Sequence, residues 1–85
     1  MNIRILYFAR LREEMGIAGE MYELPAAVSD VNSLRAQLVA RGGASAAAFA
    51  QSKAVRASVN QEIAHGDTPV KAGDEVAFFP PVTGG

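Results

Sequence analysis

An 85-residue chain has room for one compact domain that hides roughly 60% of its unfolded surface, and so small a core leaves little space for a deep active site of its own. Eight Lys and Arg stand against nine Asp and Glu for a formal net charge of -1, and the basic residues are scattered, which argues against a nucleic-acid partner. Without cysteine the chain has no disulfide, thiolate nucleophile or iron–sulfur ligand, so any sulfur it handles must ride on something other than a side-chain thiol.

No apolar run approaches the ~20 residues of a membrane span, and Met1 to Arg10 meets charge too early for a signal peptide. The expectation is a cytoplasmic protein with no membrane partner. His65, the one imidazole, lies beside Gly66 and Asp67 and reads as a solvated turn residue; a metal site needs several converging donors, so none is expected.

In Asn2 to Phe8 the residues Ile3, Ile5 and Tyr7 alternate with Arg4, Leu6 and Phe8, the period of a strand whose wetter face Arg4 marks. Ala9 to Met15 is suited to a short helical turn that Gly16 stops, and Glu20 to Leu24 offers a second strand. Ser29 and Asp30 supply N-cap chemistry ahead of Val31, Leu34 and Leu38, whose spacing makes one apolar helix stripe ending at Gly42 and Gly43. Ala44 to Ala50 reads as a short helix anchored by Phe49. Val55 to Asn60 forms a third strand and Gln61 to Ala64 a short edge strand. Turn residues surround Val70, and Glu75 to Phe79 is an apolar, central last strand.

That order predicts an α+β fold: a β-grasp, or ubiquitin-like, roll in which a mixed sheet of about five strands packs on one main helix, with first and last strands parallel neighbours. Residues 1–81 form the domain and 82–85 a flexible tail.

Pro80 and Pro81 lack amide donors and favour extended geometry, so they end the last strand and aim the chain outward. From Pro81 to Gly85 the chain can project its carboxylate about 17 Å, enough to thread another protein's active site. Gly84 and Gly85 carry no Cβ and pass a narrow channel. The terminal carboxylate, with a pKa near ~3.5, is a poor electrophile and needs activation, most simply as an acyl-adenylate made from ATP. A sulfur nucleophile displacing AMP then leaves a thiocarboxylate. The plain alternative is that the chain merely ends in two glycines.

The block Gly73-Asp74-Glu75-Val76-Ala77-Phe78-Phe79-Pro80-Pro81-Val82-Thr83-Gly84-Gly85 resembles the end of the small-subunit (MoaD) family of molybdopterin synthase, the sulfur carriers of molybdenum cofactor biosynthesis. Tyr7-Phe8-Ala9, Arg12-Glu13, Leu34-Arg35, Val59-Asn60-Gln61, Asp67 and Pro69 extend the resemblance over nearly the whole chain, and Arg41 to Lys53 matches no motif. The resemblance implies that a MoeB-like adenylating enzyme activates Gly85 with ATP and that a sulfur relay makes the thiocarboxylate. The carrier then joins a MoaE-like large subunit in a heterotetramer. There it delivers sulfur to cyclic pyranopterin monophosphate to build the dithiolene, acting as the sulfur-donating part of a sulfurtransferase with no catalytic pocket or bound cofactor of its own.

A carrier that docks on two partners needs an exposed apolar patch near its tail. Val76 and Phe78 fill the core, which turns Phe79 outward beside Phe8 and Ile63. Those three, with Pro80, Pro81, Val82 and Thr83, are the candidate partner contacts, and Arg12 is a candidate ion-pair donor. Lys53, Arg56 and Lys71 read as surface charge. Rival readings are a carrier of the same fold for thiamine or cysteine synthesis, a modifier attached to lysines, and an inert interaction module.

Overall fold

The computed structural model describes residues 2–50 and 53–81. Its elements are β1 (Asn2–Tyr7), α1 (Arg10–Met15), β2 (Gly19–Glu23), α2 (Val31–Ala40), α3 (Gly43–Ala48), β3 (Arg56–Val59), β4 (Glu62–Ala64) and β5 (Glu75–Phe79). The five strands form one sheet in the order β2-β1-β5-β3-β4, so the last strand is central and lies parallel to the first. β2 and β3 run antiparallel to their inner neighbours, and β4 closes the far edge.

Period-two patterning sets the two faces. Ile3, Ile5 and Tyr7 of β1 and Val76 and Phe78 of β5 are buried under the helices, while Asn2, Arg4 and Phe8 look the other way. Helix α2 presents Val31, Leu34 and Leu38 to the sheet. Its start is closed by a capping box: the Asp30 carboxylate accepts the Ser33 N–H at 2.8 Å, and the Ser33 hydroxyl oxygen accepts the Asp30 N–H at 3.1 Å. The cap holds the Asp30 carboxyl below its ordinary pKa, chiefly through that backbone N–H.

Phe49, at the end of α3, is the keystone of the core. It is fully buried, with its ring 4.8 Å from Phe78 in an edge-on arrangement and 6.0 Å from Tyr7. Ser45, also buried, spends its hydroxyl on the Leu38 carbonyl at 2.7 Å and so ties α3 to α2.

One boundary differs from expectation in a way that has a physical cause. The sequence pattern places Asn60 in the third strand and Gln61 in the edge strand, but both have positive φ, 51° and 70° respectively, and form the two-residue turn between β3 and β4. That is the backbone a tight hairpin demands for its twist. Asn60 is held there by its neighbours: its side-chain amide donates to Asp74 at 3.1 Å, and its side-chain oxygen accepts the Glu75 N–H at 3.0 Å.

Candidate docking face and tail exit

The central strand leaves the sheet between two partners, and Pro80 decides where. In the parallel ladder the N–H groups of Arg4 and Phe8 donate to the carbonyls of Asp74 and Phe78, both at 3.0 Å. The next rung requires an N–H from residue 80 to the Phe8 carbonyl, and proline has none. That carbonyl accepts the Leu11 N–H instead, at 3.1 Å, which opens α1. The residue between, Ala9, adopts φ 54° and ψ -130°, a region that suits glycine and costs an alanine about 1 kcal/mol or more. The strain is set by the last sheet rung on one side and by the Glu13 N–H bonded to the Ala9 carbonyl on the other.

Phe8 and Phe79 lie on adjacent strands at this exit, because Tyr7 is in register with Phe78. Phe8 is 47% exposed and Phe79 half-buried. Ile63 is 69% exposed on the same sheet face but stands farther off. Its register partner is Ser58, which pairs with Ala77, while Phe79 pairs with Arg56. Ile63 therefore shares the face, with β3 between it and Phe79, instead of the next-door position the sequence suggested. Pro80 and Pro81 are half-buried. Val82, Thr83, Gly84 and Gly85 lie outside the described residues. Arg12 is exposed on α1, next to the buried Leu11.

The face also holds residues that were not singled out from the sequence. Leu6 is half-buried, Ala77 nearly closed off and Met21 59% exposed. Their signal was present: Leu6 shares the Arg4 face by alternation, and Met21 stands opposite Arg4 in the β1–β2 register. The apolar surface thus crosses the sheet instead of stopping at the tail.

Charge is distributed unevenly around it. The Arg10 guanidinium bonds Glu14 at 2.8 Å and the carbonyls of Ala48 and Ala54, and Lys53 reaches Glu14 at 3.3 Å. The Arg10 hydrogen bond is the main reason the Glu14 carboxyl sits below its ordinary pKa. Arg35 donates to the carbonyls of Phe49, Ala50 and Lys53 at 3.0, 2.8 and 2.7 Å, pinning the chain after α3. Burial, then the nearby Arg10 charge, lowers its pKa. Glu20 accepts both guanidinium nitrogens of Arg41, at 2.9 and 3.0 Å, and the Tyr7 hydroxyl at 2.6 Å. The Arg41 bond leads in depressing the Glu20 carboxyl, while burial pushes the Tyr7 phenol well above its usual value. Arg4, Arg12 and Arg56, by contrast, make no side-chain hydrogen bond or ion pair among the described residues.

The sheet thus joins a central strand whose pairing ends at Pro80 to an apolar face around that end. The sheet order and the single principal helix define a ubiquitin-like β-grasp protein, as comparison with solved structures bears out. A putative molybdopterin converting factor, subunit 1, from Pyrococcus furiosus superposes with a TM-score of 0.77 at 28% identity, covering 96% of this chain and 99% of that one. The ThiS family model matches residues 5–85, and the chain belongs to that family. Among its relatives are proteins named molybdopterin synthase sulfur carrier subunit. The one from Escherichia coli K12 is 42% identical and the one from Haemophilus influenzae 36%, each over 98% of this chain and 99% of the relative. No helix among the described residues is long and apolar enough to cross a membrane.

Proposed function

We propose that the chain is the sulfur carrier subunit of a molybdopterin synthase, with the Gly85 carboxylate as its working group. The observation that carries the reading is the exit of β5. A strand pinned on both sides and cut off at Pro80 ends its pairing at a fixed point, framed by the Phe8–Phe79 apolar surface. Family membership and the full-length likeness to carriers of that name support it.

The chemistry follows from the anion at the end of the tail. A carboxylate oxygen attacks the α-phosphorus of ATP in a MoeB-like adenylating enzyme, and pyrophosphate leaves. A sulfide-equivalent nucleophile attacks the acyl carbon, AMP leaves, and Gly85 carries a thiocarboxylate. In a MoaE-like large subunit that sulfur replaces an oxygen substituent at a carbon of cyclic pyranopterin monophosphate, the C–S bond forming as the C–O bond breaks and the oxygen leaves protonated as water; a second water then cleaves the acyl–sulfur bond and restores the carboxylate. Gly84 and Gly85 offer no side chain to obstruct passage into either partner. Phe8, Phe79, Ile63, Pro80 and Pro81 provide apolar docking surface, Val82 and Thr83 the link, and Arg12 a charge at its border. The domain supplies position, and the partners supply the reaction sites.

Mass spectrometry of the protein after incubation with its activating enzyme, ATP and a sulfur donor is expected to show a gain of about 16 Da as one oxygen becomes sulfur. Removing Gly85 should abolish both the gain and the conversion of the pterin precursor while leaving the melting temperature unchanged. Conversion by the truncated protein would overturn the terminal-acyl mechanism.

A further inference from the structure

At the side of the sheet away from β3, the β1–β2 pair carries an open groove of about 330 Å³, lined by Arg4, Leu6, Ala18, Gly19, Glu20 and Met21. Gly19 creates it. A Cβ there would lie 2.7 Å from the Ile5 carbonyl oxygen and 3.0 Å from a Leu6 methyl, so the backbone fits under Leu6 only because the side chain is missing. The result is an apolar floor at Leu6 and Gly19 with exposed Met21 beside it.

Arg4 stands at its border, opposite Met21, with no partner among the described residues. Glu20, which lines the groove, gives its carboxylate to Arg41 and Tyr7 on the helix side of the sheet, and Glu75, the β5 neighbour of Arg4, makes no ion pair with it.

Area says what must cover this groove. Five strands spaced about 4.8 Å apart, from about 10 Å for the three residues of β4 to about 20 Å for the six of β1, present a face on the order of 400 Å². A lasting subunit contact buries about 800 Å² on each side. The tail exit is a fraction of that face and falls well short, so a synthase subunit docked there gains contact area by extending across the sheet to β2.

We infer that the Arg4–Gly19–Met21 groove is a second anchor for the large subunit, receiving an apolar side chain flanked by a carboxylate. The inference rests on the carrier reading and adds to it the chemistry of the partner surface: apolar at its centre and acidic where it meets Arg4. Aromatic and aliphatic anchors seated in such pockets dominate interface energetics, and a border charge governs association rate and salt dependence.

The test is a titration of the full-length carrier with the purified large subunit from the same organism. Arg4→Glu and Met21→Glu are each expected to weaken binding by about tenfold or more, and Arg4→Glu to flatten its salt dependence. Both sites are on the exposed face, and unchanged thermal melts verify folding. Phe79→Ala, measured alongside, separates the two ideas. If it weakens binding while both groove variants stay within about twofold of wild type, the groove proposal is overturned and the exit surface stands. If only the groove variants weaken binding, the groove stands and the exit contact fails; if none does, both fail. Two further results overturn the choice of occupant: a wild-type homodimer in sedimentation that Met21→Glu dissolves, or slowed adenylation with unchanged affinity for the large subunit.

Discussion

Two consecutive phenylalanines should fail in opposite ways when truncated. Phe78 is 1% exposed and meets Phe49 edge-on at 4.8 Å, so Phe78→Ala opens a cavity at the centre of the core. Such changes cost about 3–5 kcal/mol. A domain of 85 residues has a total stability of about 4–13 kcal/mol, so the loss is a large fraction of the whole. At about 4–8 °C per kcal/mol, the melting temperature should fall by at least about 12 °C. Phe79, half-buried on the other face and outside the core cluster, should lose about 1 kcal/mol of folding stability. Its cost should appear in binding, at about 2 kcal/mol or roughly thirtyfold in Kd for the large subunit. Circular dichroism melts and a binding titration on the same preparations measure both quantities. If Phe79→Ala melts as early as Phe78→Ala, the ring belongs to the core and the assignment of faces is wrong.

Arg35→Ala removes three hydrogen bonds from carbonyls of the segment after α3 and should cost about 2–4 kcal/mol, with faster amide exchange there. Unchanged exchange would mean that the segment is held by packing alone. Acid should destabilise the fold. Glu20, Glu14 and Asp30 have carboxyls depressed in the folded state, so their contribution is intact above the ordinary carboxylate pKa of about 4.3 and drains away as pH falls through the folded values. Urea midpoints between pH 7 and 3 should show this loss, and Glu20→Gln should shrink it. Tyr7 acts in the opposite sense: its raised phenol pKa makes stability fall as pH climbs beyond about 10. Gln61→Gly should raise the melting temperature by a few degrees, equivalent to about 0.5–1 kcal/mol, because the turn holds this residue at positive φ; a lower melting temperature would show that the Gln61 side chain does more for the turn than its backbone costs.

What was legible in the sequence was whatever repeats at short range. Ile3, Ile5 and Tyr7 announce a two-sided strand, Val31, Leu34 and Leu38 a one-sided helix, and Asp30 its cap; all five strands and the main helix follow from such signals. The turn at Asn60 and Gln61 was hidden because glutamine is not a residue that chooses positive φ, and only the tertiary hold on Asn60 makes the conformation worthwhile. The ion network was hidden for a different reason. Tyr7, Glu20 and Arg41 come from three separate elements and have no shared local pattern, and Arg35 serves carbonyls that could belong to any loop. On the docking face, Phe8 and Phe79 stood out as large and alternating. Met21 did not, since its role depends on the absence of a side chain at Gly19, two positions before it.

The central place of β5 links docking to reach. An edge strand can fray or slip, but β5 is fixed by β1 on one side and β3 on the other, so the point at Phe79 where the chain departs is as rigid as the core behind it. A fully extended chain gains about 3.3–3.6 Å of reach for each residue. Reacting atoms must come within about 3–3.5 Å of each other, less than the length of one residue, so the proposed carrier role requires the docking face and the tail to be matched to the same partner. Phe78 in the core, Phe79 on the opposite face and Pro80 at the end of pairing are consecutive, so within three residues β5 passes from anchoring the domain to ending its ladder.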